Sequence, residues 1–298
     1  SKKVVWVTQR IPDNAICAHA NQSRIGRFNM NDKKNVIYSK NVVSFARSKG
    51  WFKGADNEFN WKMTYARPDF SGRRFCDARV WAFFNHFADN FSRYLPWAEG
   101  VDPNAEDMPL WIVPNHKLSV QDVQAAMRDH YEGTPLAMDS LNIGGGIYQM
   151  PYRPSPLTFK VDGKTYFSER PVSTQQSAFS FVSEMRSWLP REIGGVLWFG
   201  NDDSNMIVYT PIYCGNTLIP ECYNTPGADA VTFSMKNAFW VCNWVSNMVY
   251  PRYSMMFPEL KAVRDSLEQN YFKQQAEVEQ KACALYASDK AAALKQLN

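Results

Sequence analysis

The sequence has no C-x-x-C pair, no run of Lys or Arg longer than two, and no uninterrupted apolar stretch near the ~20 residues a membrane helix requires. The six cysteines, Cys17, Cys76, Cys214, Cys222, Cys242 and Cys283, are spread thinly over 298 residues. That spacing argues against a structural zinc site or a thioredoxin-like motif. It predicts buried free thiols, with Cys214 and Cys222 the pair near enough in sequence to close a local loop. Basic residues number 33 and acidic ones 29, for a net charge of +4. The pairs Lys2-Lys3, Lys33-Lys34 and Arg73-Arg74 read as solvated faces, and nucleic-acid binding needs clustered positive charge. No signal-peptide pattern opens the chain, and the cysteines leave the compartment undecided. Gly144-Gly145-Gly146 lacks the Lys-Ser/Thr of a phosphate loop. Asn201, Asp203 and Asn205 imitate the start of a calcium loop, but Met206 and Ile212 stand where Gly and Glu are needed, so a turn between strands is expected and no metal.

What is present is a core. With 45% apolar residues the chain can fill one large or two ordinary domains. Val4 to Val7 and Ala15 to Ala20 read as strands around a turn at Pro12-Asp13-Asn14, the first of them buried. Asn41 to Lys49 reads as a helix closed by Gly50. Phe75 to Ala88 is an aromatic helix, with Phe75, Ala78, Trp81, Ala82, Phe84 and Ala88 at spacings of three and four. Pro96 to Pro114 reads as a Pro-punctuated loop. Ser119, with Asp122 three residues on, caps a helix expected to run to Gly133. Thr134 to Pro156 is a long loop, and Leu157 to Phe167 a hairpin about Asp162-Gly163.

Three strands follow within 170–220. In the first, Phe179, Phe181, Ser183 and Met185 share one face and Ser180, Val182, Glu184 and Arg186 the other. Gly195 to Phe199 is apolar without alternation, which predicts cover on both faces. Met235 to Tyr250 is a further aromatic helix. From Pro258 the residues Leu260, Val263, Leu267, Tyr271, Val278, Ala282 and Leu285 mark an amphipathic helix lying on the body. Antiparallel strands under long helices give a layered α+β class.

Few residues stand in patterns that carry chemistry. Cys17 and His19 share a strand face, as a thiol and its base would. Neighbours on one strand point in parallel, however, so a core thiol beside a satisfied histidine is the preferred reading. Asp129, His130 and Glu132 do not share a helix face, and read as a helix end with His130 near the negative pole of the dipole. Asn21-Gln22-Ser23 is formally a glycosylation sequon. Asn21 also follows a strand end, where a carboxamide N–H can be aimed at a developing oxyanion.

Several segments together resemble one family. They are Ala18-His19-Ala20-Asn21-Gln22, Phe75 to Trp81 (FCDARVW), Met127 to Pro135 (MRDHYEGTP), Arg170 to Ser177 (RPVSTQQS), Ile193 to Trp198 (IGGVLW) and Thr210 to Tyr213 (TPIY). In this order they resemble the PepD-type dipeptidases, which are N-terminal nucleophile (Ntn) hydrolases, over roughly Val4 to Tyr271. The resemblance implies an αββα sandwich of two stacked antiparallel sheets. Residues 1–254 would form the major C-terminal part of one catalytic domain, and 255–298 a helix packed on it. It implies dipeptide hydrolysis through an N-terminal cysteine, with no metal or cofactor.

Ser1-Lys2-Lys3 departs from the family's nucleophile segment. The cysteine is therefore expected in a leader portion of the same protein upstream of Ser1, and this chain alone is expected to be inactive. Asn21 matches a position that polarises the substrate carbonyl. Arg170, Gln176, Ser177 and Arg186 are implied as substrate contacts; related acylases place an arginine near Ser177 to Phe181, where this chain has Ser180. The expected partners are a short peptide and the leader portion, and exposed strand edges predict self-association into a homo-oligomer. The competing readings are a linear-amide acylase related to penicillin V acylases and bile-salt hydrolases, and a non-catalytic binding protein on the same scaffold.

Overall fold

The computed structural model describes residues 4–139, 146–152 and 158–298, so Ser1, Gly144 and Gly145 lie outside the described residues. The chain divides into two compact units, Ser1–Leu118 and Ser119–Asn298. Both mix short helices with small antiparallel sheets, and the second adds a long C-terminal helix. No helix of the described residues is long and apolar enough to cross a membrane.

In the first unit β1 (Val7–Gln9) pairs antiparallel with β3 (Val36–Tyr38), and β2 (Ile16–Cys17) with β4 (Trp111–Ile112). The expected buried strand at Val4 to Val7 starts three residues later. Val4 and Trp6 are exposed, because a two-stranded ladder covers only part of its apolar side chains. β4 lies in what reads from sequence as a loop, and so does α4 (Leu95–Glu99), which has Pro96 in its first turn and stops at Gly100 in the left-handed region (φ 76°). Pro here starts a helix, since its missing N–H has no partner to lose at that position.

Helix α1 (Val42–Ser48) ends as expected at Gly50, whose φ of 73° suits glycine. It packs Val42, Val43 and Ala46 on Phe59. Helix α2 (Trp61–Tyr65) is capped by Asn60, whose Oδ1 accepts from Met63 N at 3.0 Å. The aromatic helix is present, with a wide π turn over Gly72–Asp77 running into α3 (Ala78–Asn85). Trp81 and Phe84 are fully buried, and the Trp81 indole donates to the Phe91 carbonyl at 3.2 Å.

The second unit opens with α5 (Val120–Met127). The Ser119 hydroxyl accepts from Asp122 N (3.2 Å) and the Asp122 carboxylate from Ser119 N (2.7 Å), a complete capping box. The helix stops six residues before Gly133. Asp129 Oδ1 captures the Tyr131 amide at 2.9 Å, and Tyr131 adopts φ 67°, so the local turn wins over the helix. The hairpin β5 (Thr158–Val161) and β6 (Lys164–Phe167) turns on Asp162 and Gly163, both left-handed (φ 49° and 74°).

The three expected strands form one antiparallel sheet of β7 (Phe179–Met185), β8 (Gly195–Asn201) and β9 (Thr210–Tyr213), with the short helix α6 (Arg191–Gly194) before β8. Val182, Val196 and Trp198 face the core. Trp198 stacks on Phe272 with ring centres 4.2 Å apart. Cover on both faces of β8 does not hold: Leu197 and Phe199 alternate with buried neighbours and are only half-buried. On that same outer face Phe179, Phe181 and Met185 are 56, 49 and 70% exposed.

Helix α7 (Ala238–Val249) is capped by Asn237, and α8 (Tyr253–Tyr286) contains Pro258; α9 (Lys290–Lys295) follows. Leu260, Tyr271, Val278 and Ala282 of α8 pack on apolar clusters of the unit as the spacing predicts, but the stripe is interrupted between Leu260 and Tyr271. Val263 and Leu267 are exposed, while Arg264 and Glu268 are buried. Glu268 accepts from Arg128 at 2.5 and 3.0 Å and from Tyr209 N at 2.8 Å. Arg264 Nη1 donates to the Asn205 carbonyl at 2.5 Å. Satisfied charges replace apolar contacts along this part of the helix. All six cysteines are free, and none is fully buried, contrary to expectation; Cys17, in the two-residue strand β2, and Cys214, just past the end of β9, are exposed.

Candidate active site

In the first unit the chain leaves β2 and turns at Asn21, a residue held at φ 54°. Asn and Asp tolerate that left-handed conformation better than other residues with a side chain. Arg79 of α3 reaches back 58 positions, and its Nη2 donates to Asn21 Oδ1 at 2.8 Å, while its Nε donates to the Phe75 carbonyl at 2.9 Å. A guanidinium only donates, so this contact identifies which end of the carboxamide is the oxygen. The Asn21 NH2 group then points away from Arg79 on an exposed side chain. Gln22 anchors the next position by donating to the Ala66 carbonyl.

Beneath this turn lies a buried ionic network. Arg24 Nη2 donates to the carbonyls of Met108 (3.1 Å) and Pro109 (2.9 Å). Its Nη1 stands 3.4 Å from Asp77 and 3.6 Å from Asp107. Lys62 pairs with Asp107, and the Trp97 indole donates to Asp77 at 2.8 Å. Burial pulls the Lys62 ammonium below its usual range, against the opposing pull of Asp107.

A cavity of about 310 Å³ adjoins this segment, lined among others by Gln9, Cys17, His19, Ser23 and Arg24. The reading of Cys17 and His19 as core residues is not met, since both are exposed. Gln9 Oε1 is buried there without a partner. Asn21 is not among the lining residues.

In the second unit the segment carrying Arg170, Gln176 and Ser177 is strapped to the turn after α5. Tyr131, fully buried, donates its hydroxyl to the Arg170 carbonyl at 2.7 Å, and Ser173 N donates to the Asp129 carbonyl at 3.0 Å. Ser177 N closes a turn onto the Thr174 carbonyl at 2.9 Å, and Gln176 is exposed beside it. The Arg170 side chain is half-buried, with Nε buried and unpartnered. Arg186 stands apart from that segment, at the far end of β7. Its guanidinium grips Glu279 of α8 at 2.6 and 2.7 Å and adds the Ile193 and Gly194 carbonyls at 3.3 and 3.4 Å.

Asp129, His130 and Glu132 stand just past the end of α5, each serving the local turn. His130 is buried, its Nδ1 2.8 Å from Glu132 Oε1. Burial works against ionising Glu132, but the His130 hydrogen bond outweighs it and lowers the carboxyl. Among the described residues no three His, Cys, Asp or Glu side chains converge as metal ligands. Burial, with Asp202 nearby, pushes the Cys242 thiol up to about 11, which leaves it a poor nucleophile.

A family model described as "Peptidase family C69" matches residues 3–266. The chain belongs to that family. It is the family of the PepD-type dipeptidases. Relatives include a "Probable dipeptidase" of Salmonella dublin, 27% identical over 70% of this chain and 42% of the relative. A "Probable dipeptidase" of Latilactobacillus sakei is 25% identical over 83% of the chain and 46% of the relative. "Dipeptidase A" of Lactobacillus helveticus is 24% identical over 79% and 43%. The chain spans less than half the length of these relatives.

Within this C69 chain, Asn21 presents an oriented N–H donor, and Arg170 presents a cation with spare hydrogen-bonding capacity. Arg186 presents neither feature, because its contacts hold α8 to the sheet. Arg79 was missed at the level of sequence. Its segment FCDARVW is one of those that carry the resemblance, yet nothing local marks the arginine as the partner of a residue 58 positions earlier.

Proposed function

We propose that this C69 chain is the wall-forming part of a cysteine dipeptidase with the two-sheet Ntn sandwich. Residues 1–254 belong to its catalytic domain, and the nucleophile comes from a portion of the protein outside these 298 residues. The family membership and the dipeptidase names of the relatives support the peptide-hydrolase reading, and coverage of under half of each relative supports a further portion. The observation that carries the site is the Arg79–Asn21 contact, which turns a carboxamide N–H outward on an exposed turn beyond the end of β2.

The chemistry follows from an N-terminal cysteine. A free α-amine, with a pKa of about 8, accepts the proton of its own thiol. The sulfur attacks the peptide carbonyl and the electron pair moves to oxygen. The Asn21 N–H donates to that oxyanion. Collapse expels the amine, which takes the proton from the α-ammonium, and leaves a thioester. Water, deprotonated by the same α-amine, then releases the acid and restores the thiol. Arg170 suits the free carboxylate of a dipeptide, since an unpartnered guanidinium N–H gains most from a charged acceptor.

The test uses the longest product of the natural gene, assayed on a panel of dipeptides, with Asn21→Ala beside it. Turnover that is lost on alkylating a mature N-terminal cysteine and falls about 10²–10³-fold in Asn21→Ala supports the reading. Turnover indifferent to Asn21→Ala removes that residue from the site, and turnover by residues 1–298 alone overturns the external nucleophile.

A further inference from the structure

One face of the sheet in the second unit is composed for burial yet lies open. The register sets Phe181 opposite Phe199, Phe179 opposite Asn201 and Leu197 opposite Ile212, so these side chains share the outer face of β7–β9. Phe179 and Phe181 stack with ring centres 6.3 Å and planes 12° apart, and Phe179 lies 6.0 Å from Phe199 at 28°. The result is a flat apolar plate. Phe179, Phe181 and Met185 leave about half or more of their surface uncovered. No Asp, Glu, Lys or Arg of the three strands stands on this face, whereas the solvated face of an antiparallel sheet is polar.

The cover that this chain supplies stops part-way. On the inner face Val182, Val196 and Trp198 are buried, with Trp198 stacked on Phe272 of α8. On the outer face the segment after β9 folds back over one side only. Tyr223 meets Phe199 edge-on at 5.5 Å, and its hydroxyl lies 2.7 Å from that of Thr210. Between that segment and the sheet a cavity of about 480 Å³ remains, lined among others by Leu197, Phe199, Ile212, Leu218, Ile219 and Phe239. Leu218 and Ile219 are 68 and 71% exposed. Asn201 also lines the cavity, and its Oδ1 is buried without a donor. Single exposed apolar residues need no explanation, but a continuous face with a cavity and an unsatisfied acceptor does.

We propose that the outer face of β7–β9 is the docking face for the portion of the same protein outside these 298 residues. That portion lays an apolar sheet face on the plate and sends a side chain into the cavity. This rests on the proposed function, which places part of the protein elsewhere, and goes on to name the surface that receives it. Over half of each relative described above lies beyond the match, so the occupant is at hand in the same polypeptide. A second sheet suits a flat plate of stacked rings, since sheets pack face to face about 10 Å apart. A helix would want a groove for its ridges. An N–H of the docked portion satisfies Asn201 Oδ1. Docking also completes the cover on both faces that Gly195 to Phe199, apolar without alternation, is written for.

The experiment places one new thiol on this face, as Phe181→Cys and separately as Leu218→Cys, in the longest product of the natural gene. Maleimide labelling of each site is followed by peptide mass spectrometry and referred to the same protein unfolded in urea. Leu218 lies outside the strands, so its variant keeps the test alive if Phe181→Cys does not fold. The expected result is labelling slowed at least about 100-fold at both positions, at every protein concentration. Labelling of a folded variant within about fivefold of the unfolded rate overturns the docking. Protection that vanishes on dilution, together with a fall in mass by light scattering, makes a second copy the occupant and overturns it as well. Dipeptide turnover is measured on the same samples. An active protein that labels freely sinks the docking and leaves the dipeptidase reading standing, and a protected protein without turnover does the reverse.

Discussion

The two units neutralise buried charge in opposite ways. In the first, Arg24, Asp77, Asp107 and Lys62 compensate one another beneath the Asn21 turn. In the second, Arg128–Glu268 and Arg186–Glu279 join α8 to the rest of the unit, but Asp202 and Asp203 have only neutral neighbours. In the first unit each buried charge has an opposite charge at hand, although Arg24 Nε and Nη1 and Asp77 Oδ1 close no hydrogen bond. Carboxylates left to neutral donors depend on those donors alone, and burial raises the Asp202 carboxyl. The same contrast separates the two arginines read from sequence: Arg186 is spent on protein contacts, whereas Arg170 keeps an unsatisfied N–H.

The sharpest way to break this comparison is Asp77→Ala. It strands Arg24 and the Trp97 indole in the interior, so unfolding of the first unit should become easier by about 3–5 kcal/mol. Chemical denaturation checks this, and a loss below about 1 kcal/mol would mean the network is not what fixes the turn. Next in size is Asn21→Ala, with the rate loss given above. Its companion Arg79→Lys keeps a charge but loses the second contact to Phe75. It should lower kcat by roughly tenfold with KM little changed, a split expected when a transition-state donor is mis-aimed and not when substrate binding is lost. Third, Arg186→Lys and Arg170→Lys should part company. The first trades a bidentate grip for a point charge and should destabilise by about 2 kcal/mol with KM unchanged. The second should raise KM with Tm unchanged. Identical behaviour of the two would dissolve the distinction between them.

Much of the fold was legible because its signals are local. Ser119 and Asp122 announce their capping box, Gly50 its helix end, and Asp162-Gly163 its hairpin, each through contacts a few residues apart. Strand β4 and helix α4 escaped because proline around 96–114 masks them, and because a two-residue strand exists only through its partner β2. The apolar ends of the α8 stripe were legible, but its charged middle escaped for another reason. Its central buried residues are Arg264 and Glu268, whose burial depends on Asn205, Arg128 and Tyr209, far away in sequence. The candidate site divides likewise. Asn21 was marked by its place after a strand, but the arginine that orients it was not. Asp202 likewise has no local motif that marks its partner, since its donor Asn243 lies on α7, 41 positions on.

The smallest expected effect concerns an exposed pair and serves as the control for the buried ones. Glu192 accepts from Lys290 at the start of α9 (2.6 Å) and from the Tyr286 hydroxyl (2.7 Å). The Lys290 hydrogen bond, followed by that of Tyr286, lowers its carboxyl from 4.5 to about 2. A carboxylate depressed in the folded state contributes above its unfolded value and loses that contribution as pH falls toward the folded one. The tie should therefore be intact above about pH 4.5 and released between there and about pH 2, with salt weakening it throughout because the pair faces solvent. Hydrogen exchange across 287–298 should rise in that window more steeply than across α7, and Glu192→Gln should remove the excess. If acid instead releases the α9 segment and the Arg128–Glu268 contact together, burial is not what separates strong pairs from weak ones in this chain.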